Sequence, residues 1–156
     1  MIRKLSMLAT TALAAATLQV SALAQSTDLA PVPEGMVSIH YTRPAGDFDG
    51  WGAHLWESFE ATDGSKVTGP RQKSDVPLDG VTWGAPMKPT GKDGFGVYWQ
   101  VKANEFRNKK VNIIIHRGDV KDQCGKDVYF FVNQGNRAFL KQGDCNVYFE
   151  LDKVPK

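Results

Sequence analysis

Long hydrophobic runs, an excess of one charge and cysteine are all scarce in this 156-residue chain. Its one extended apolar stretch, Leu5 to Leu18, has about 14 residues, short of the ~20 that span a bilayer, so no membrane span is expected. Arg3 and Lys4 precede that stretch and Ala22-Leu23-Ala24 follows it, with small residues at both positions a signal peptidase reads. Residues 1–24 therefore read as a cleavable signal peptide, and the mature protein is expected to be periplasmic or secreted. The formal charge of +2 belongs to this leader, because without Arg3 and Lys4 the remaining 17 basic residues meet 17 acidic ones. A balanced chain lacks the electrostatic footprint of a nucleic-acid or anionic-membrane binder; a neutral, hydroxyl-rich ligand suits it better.

Other absences narrow the chemistry. There is no Ser/His/Asp signature and no glycine-rich phosphate loop, so no cofactor is expected. Carboxylates are plentiful at Asp47, Asp49, Asp119, Asp122 and Asp127, but they stand in turns, and a single sandwich offers little depth for a two-acid glycosidase cleft. His40, His54 and His116 are scattered without the short spacing of a metal site. No metal and no catalytic residue are expected. The two cysteines, Cys124 and Cys145, lack the second pair a structural zinc site needs. In an oxidising compartment they are expected to form a disulfide, with two unbridged thiols as the alternative.

What is present is 42% hydrophobic residues, 10% aromatics, 15 Gly and 8 Pro, enough for one ordinary domain. Residues 25–34 are polar, contain two prolines and show no periodicity, which reads as a linker or loosely held tail. The domain is taken as residues 35–156. Short apolar or alternating runs follow one another at Met36 to Arg43, Gly52 to Ser58, Phe95 to Lys102, Val111 to Arg117, Val128 to Val132, Arg137 to Leu140 and Asn146 to Leu151. Turn residues separate them, as at Asp49-Gly50, Asp79-Gly80 and Gln142-Gly143-Asp144. Only Asn104 to Lys110 suggests even a single helical turn. The expected fold is all-β, an antiparallel immunoglobulin-like β-sandwich of about seven strands.

Strand parity then sorts side chains by face. Phe95, Val97, Trp99 and Val101 form a uniformly apolar set and are expected in the core, and Asn112-Ile113-Ile114-Ile115 is apolar at both parities, as in a central strand covered on both sides. In Gly52 to Ser58, Ala53 and Leu55 share the core face, leaving His54 and Trp56 together on the other, with Gly52 clearing space beside them. A pyranose presents C–H groups on one face and hydroxyls on its rim, so it wants an apolar plate with charged hydrogen-bonding groups at the edge. The stretch from Asp119 to Asp127 holds five charged residues in nine, among them Lys121 and Asp127.

The blocks His40-Tyr41-Thr42-Arg43-Pro44, Asp47-Phe48-Asp49-Gly50-Trp51-Gly52-Ala53-His54-Leu55-Trp56, Phe95-Gly96-Val97-Tyr98, Ile115 to Asp122 and Lys126-Asp127 together resemble the family 41 carbohydrate-binding modules, the pullulanase-associated domains. The resemblance covers about Met36 to Glu150. It implies a β-sandwich that binds α-glucans such as starch, amylopectin, pullulan and maltooligosaccharides without catalysis. It places the aromatic platform at His54 and Trp56 and the polar partners at Lys121 and Asp127. Trp51, of opposite parity to Trp56, ranks as a structural or edge residue of the same motif, and Asp122 as a secondary polar contact. His54 stands where some members carry Trp, and Ala53 where a larger aliphatic is usual. With no catalytic barrel after Lys156, the module is expected to stand alone and to work beside a separate amylolytic enzyme. An immunoglobulin-like interaction or assembly module is the competing expectation from fold alone.

Overall fold

The computed structural model describes residues 28–57 and 76–156. The signal-peptide expectation and Ser58 lie outside the described residues. Among those described, no helix is long and apolar enough to cross a membrane.

Nine strands are present among the described residues: β1 (Met36–Thr42), β2 (Gly52–Glu57), β3 (Val76–Pro77), β4 (Gly91–Lys92), β5 (Val97–Lys102), β6 (Lys110–Arg117), β7 (Val120–Lys121), β8 (Val128–Phe131) and β9 (Arg137–Lys141). They build two sheets. Sheet A runs β4-β5-β1-β9, and sheet B runs β3-β2-β6-β7 with β8 also paired to β6. The architecture is the expected all-β sandwich, with particular differences. Three strands of two residues each were not foreseen, because two residues carry no readable alternation. The pair β1–β9 is parallel, unlike the antiparallel neighbours elsewhere. Asn146 to Leu151 is not a strand: its ladder is a single bridge between Phe139 and Tyr148, after which Leu151–Lys153 turns into a 3-10 helix. The expected helical turn is a 3-10 turn at Ala103–Glu105, and Lys110 already belongs to β6.

Period-2 alternation explains the core. Val37, Ile39 and Tyr41 of β1 and Val97, Trp99 and Val101 of β5 meet Ala53, Leu55, Ile113 and Ile115 from the facing sheet. The Trp99 indole N–H, which needs a partner once buried, donates to the Met87 carbonyl at 2.8 Å. β6 is central, with β2 along one side and β7 and β8 sharing the other, so its outward residues Asn112 and Ile114 are buried as well.

The segment expected to be a loose linker is, over its described part, tied to sheet A. Ala30 N–H donates to Asp93 Oδ2 at 3.0 Å, Gln100 Nε2 donates to the Pro31 carbonyl at 2.7 Å, and Arg137 Nη2 donates to the Ala30 carbonyl at 2.8 Å. Its prolines and polar residues suppress periodicity, but its carbonyls still find donors on the sheet.

Candidate functional site

The site lies on the outer face of sheet B. In the register of β2 with β6, Gly52 faces His116, His54 faces Ile114 and Trp56 faces Asn112, so these side chains share one surface. The His54 and Trp56 rings are 5.6 Å apart, side by side as their parity requires. Trp56 is outside the inter-sheet core, yet it is only 8% exposed. The expected open plate of His54 and Trp56 is thus largely closed. Its neighbour β3 explains part of this, since Pro77 pairs with Trp56 along the edge of β2.

The ring left open belongs to Trp83, which the parity argument could not find because it lies in no strand of the sandwich. Leu78 to Thr90 runs along the edge of β2, fixed by reciprocal hydrogen bonds of 2.9 Å between Ala53 and Met87. Within it, Thr82 and Ala85 exchange backbone bonds of 3.1 Å, and the Ala85 N–H also reaches Thr82 Oγ1 at 3.0 Å. That tight turn carries Trp83 at its tip. The indole lies flat on His116, with centroids 4.0 Å apart and planes within 7°, and its edge meets His54 at 5.7 Å. It remains 37% exposed. Its Nε1–H donates to Asp119 Oδ1 at 3.1 Å, which fixes the ring's rotation. The available signal was a large aromatic set among turn residues, in Asp79-Gly80-Val81-Thr82-Trp83-Gly84, where a core role was unsupported.

His116 is the buried footing of that stack. Its Nδ1 is 2.8 Å from the Gly118 carbonyl, which can only accept, so Nδ1 carries the proton. Burial pushes the His54 imidazole below its ordinary pKa, so that it is neutral at neutral pH. The rim is charged. Lys121 Nζ and Asp127 Oδ1 pair at 3.0 Å, both partly exposed, and the ammonium lies 5.7 Å from the centre of the Trp83 ring. Lys121 and Asp127 therefore stand together at the edge of the aromatic group, while His54 and Trp56 form its inner flank.

Two residues singled out from the sequence are elsewhere. Trp51 is 5% exposed and part of the core, with the guanidiniums of Arg43 and Arg117 lying 4.1 and 5.1 Å from its ring centre. Its opposite parity sends it inward. The Asp122 carboxylate is turned inward too: it accepts from the Tyr41 hydroxyl, lies 3.7 Å from Arg43 Nη1 and accepts from Gly143 N–H at 3.3 Å. Burial pushes the Tyr41 phenol well above its ordinary range, with the hydrogen bond to Asp122 acting in the same direction. Asp122 thus anchors the loop and has no free oxygen facing the platform. The space expected above Gly52 is also filled, since a Cβ there would stand 2.7 Å from Pro86. Gly52 admits the Leu78 to Thr90 segment, not a ligand.

Cys124 and Cys145 are joined in a disulfide with Cα atoms 5.5 Å apart, which ties the loop between Lys121 and Asp127 to the segment after β9. No group of three possible metal ligands occurs among the described residues. A cavity of about 720 Å³ is lined by Asp47, Pro86, Lys88 and Lys92 among others, and none of the exposed large apolar side chains lines it.

The described residues thus bring together two packed sheets, a partly exposed indole on the outer face of one of them and a charged pair beside it. The model of the bacterial pullanase-associated domain matches residues 35–149, and the chain belongs to that family, the family 41 carbohydrate-binding modules. An α-amylase of Streptomyces lividans is 27% identical over 85 residues, covering 54% of this chain and 7% of the amylase. Among solved structures, family 41 modules from streptococcal virulence factors, described as recognising α-glucan, align over 81% of this chain and 52% of theirs, with a TM-score of 0.56 at 18% identity. A Klebsiella pneumoniae pullulanase complexed with maltotriose aligns over 84% of this chain and 12% of its own, with a TM-score of 0.53 at 18% identity. At that identity the structural likeness concerns the fold. The chain spans about half of the streptococcal modules and a small part of each enzyme.

Proposed function

We propose that this chain is an exported, non-catalytic α-glucan-binding module that holds glucose units against Trp83, with His54 and Trp56 flanking and Lys121 and Asp127 at the rim. The observation that carries the reading is the Trp83 indole, open on one side, stacked on buried His116 on the other and locked at its edge by Asp119. A flat ring that cannot rotate loses little entropy when a sugar settles on it. The carboxylate and ammonium of the rim offer charge-assisted hydrogen bonds to vicinal hydroxyls, at the cost of exchanging their own exposed pairing. Family membership and the description of the streptococcal modules support α-glucan as the ligand. The carboxylates nearest the ring have holding roles, Asp119 on the indole and Asp127 on Lys121, which supports binding without hydrolysis. That the family's solved relatives include parts of amylolytic enzymes supports a role in concert with an amylolytic activity, and the leader-like residues 1–24 support a place in the periplasm or outside the cell.

Calorimetric titration with maltotetraose tests it, alongside retardation in amylopectin or pullulan gels. The unaltered protein binds, and Trp83→Ala weakens binding by about 2 kcal/mol or more, as expected for loss of a central aromatic anchor. Absence of heat and of retardation for the unaltered protein overturns the proposal.

A further inference from the structure

A second aromatic surface adjoins the site and has no role in it. Tyr129 is 54% exposed, although its neighbours Val128 and Phe130 turn into the sandwich. Through β6 it stands in one row with the platform, since Trp56 pairs with Asn112 and Asn112 with Tyr129. Paired residues of adjacent antiparallel strands point to the same face, so Tyr129 lies on the outer surface of sheet B two strand spacings from Trp56, about 10 Å.

The ring is held in place. Lys110 Nζ, on a buried residue, lies 4.1 Å from its centroid, and Phe131 meets it edge-on at 5.9 Å. With the ammonium covering one face of the phenol, the exposure falls on the other. Beside Tyr129 is a cavity of about 400 Å³ lined also by Asp127, Gln134 and Asn146, within the range of about 300–1,000 Å³ common for small-ligand sites. Asp127 belongs to both places, because it forms that cavity's wall and pairs with Lys121 at the rim of Trp83. The surface therefore continues from Trp83 over the Lys121–Asp127 pair to Tyr129.

We infer that Tyr129 and its cavity form a second subsite that takes the continuation of an α-glucan chain whose first units rest on Trp83. This rests on the function proposed above and adds to it a preference for longer chains. A phenol with one face open supplies the apolar plate a further glucose ring needs; with Gln134 Oε1 accepting from Phe131 N–H and Asn146 Nδ2 donating to Asp144, Gln134 Nε2 supplies a donor and Asn146 Oδ1 an acceptor at its edge.

The test is calorimetric titration of maltotriose and maltoheptaose into the unaltered protein, Tyr129→Ala and Tyr129→Leu, with Trp83→Ala in parallel. The leucine variant keeps an apolar cover over Lys110 and decides the matter should the alanine variant unfold. Both Tyr129 changes are expected to weaken maltoheptaose binding about five- to tenfold, a factor of ten corresponding to 1.4 kcal/mol, and to leave maltotriose unchanged. Trp83→Ala weakens both. Unchanged maltoheptaose affinity in folded Tyr129→Leu, with the unaltered protein binding both sugars, overturns the second subsite alone; an unaltered protein that binds neither sugar overturns the binding function with it.

Discussion

The two outer faces of the sandwich each bury a histidine, and they use it in opposite ways. On sheet A, His40 is packed between Tyr98 and Phe139, with Nδ1 2.9 Å from Asp93 Oδ2 and Nε2 2.9 Å from Ser38 Oγ. Asp93 also accepts from the backbone of Ala30, Phe95 and Gly96, so one carboxylate plugs that face and pins the incoming chain to it. On sheet B, His116 is equally buried, but what covers it is an indole with its far side open, and the carboxylate in contact, Asp119, holds the indole and not the imidazole. The same residue type on a strand thus closes one surface and supports a partly exposed indole on the other. What differs is the loop that comes down upon it.

Exchanging carboxylates sharpens that contrast most. Asp93→Ala strands a buried imidazole and three backbone N–H groups, and is expected to cost about 3–5 kcal/mol in urea unfolding, with sugar affinity of the folded fraction unaltered. The matching change, Asp119→Ala, is expected to cost less than about 0.5 kcal/mol of stability while lowering maltotetraose affinity severalfold, since it frees only an exposed ring. Equal losses of stability in the two variants would break the comparison.

Next in size is the disulfide. The Cys124→Ser, Cys145→Ser double variant opens a loop of 21 residues, worth roughly 3 kcal/mol in the chain-entropy account. Because the bridge tethers the loop between Lys121 and Asp127, sugar affinity is expected to fall as well, and calorimetry on the folded double variant reads this directly.

Acid acts on both faces in the same direction and is the mildest of the three. Burial holds the imidazoles of His40 and His54 below the ordinary 6.5, against the opposing pull of Asp93 on His40. A histidine whose folded pKa is depressed takes up its proton more readily when unfolded. The stability it supports is whole above pH 6.5 and is lost as the pH falls from there through the folded-state value. Melting temperatures measured from pH 8 to pH 5 should decline below about 6.5. His40→Gln should flatten that decline more than His54→Gln, because His40 is the more completely buried.

Much of the sandwich was legible because alternation is local. Ala53 and Leu55 inward, His54 and Trp56 outward, and Trp99 in the core follow from parity alone. Strands of two residues, such as Val120–Lys121, leave no pattern to read, and the pairing of β1 with β9 joins residues about a hundred positions apart. The site was legible by half for the same reason. His54, Trp56, Lys121 and Asp127 do come together on one face. How open each ring is, however, is a property of whatever lies over it. Nothing local told Trp56, nearly covered, from Trp83, open, or told that Pro86 fills the space above Gly52.

By itself the sequence determined the class of fold and the inward and outward sets on the long strands, because each depends on neighbours in the chain, and it gave the Cys124–Cys145 bridge as an expectation that the structure bears out. Tertiary structure alone decided that Asp122 turns inward to Tyr41 and Arg43, and that the loop from Leu78 to Thr90 sets Trp83 upon His116. Those outcomes rest on contacts between segments far apart in the chain, where burial and the satisfaction of hydrogen bonds are settled only when the whole molecule closes.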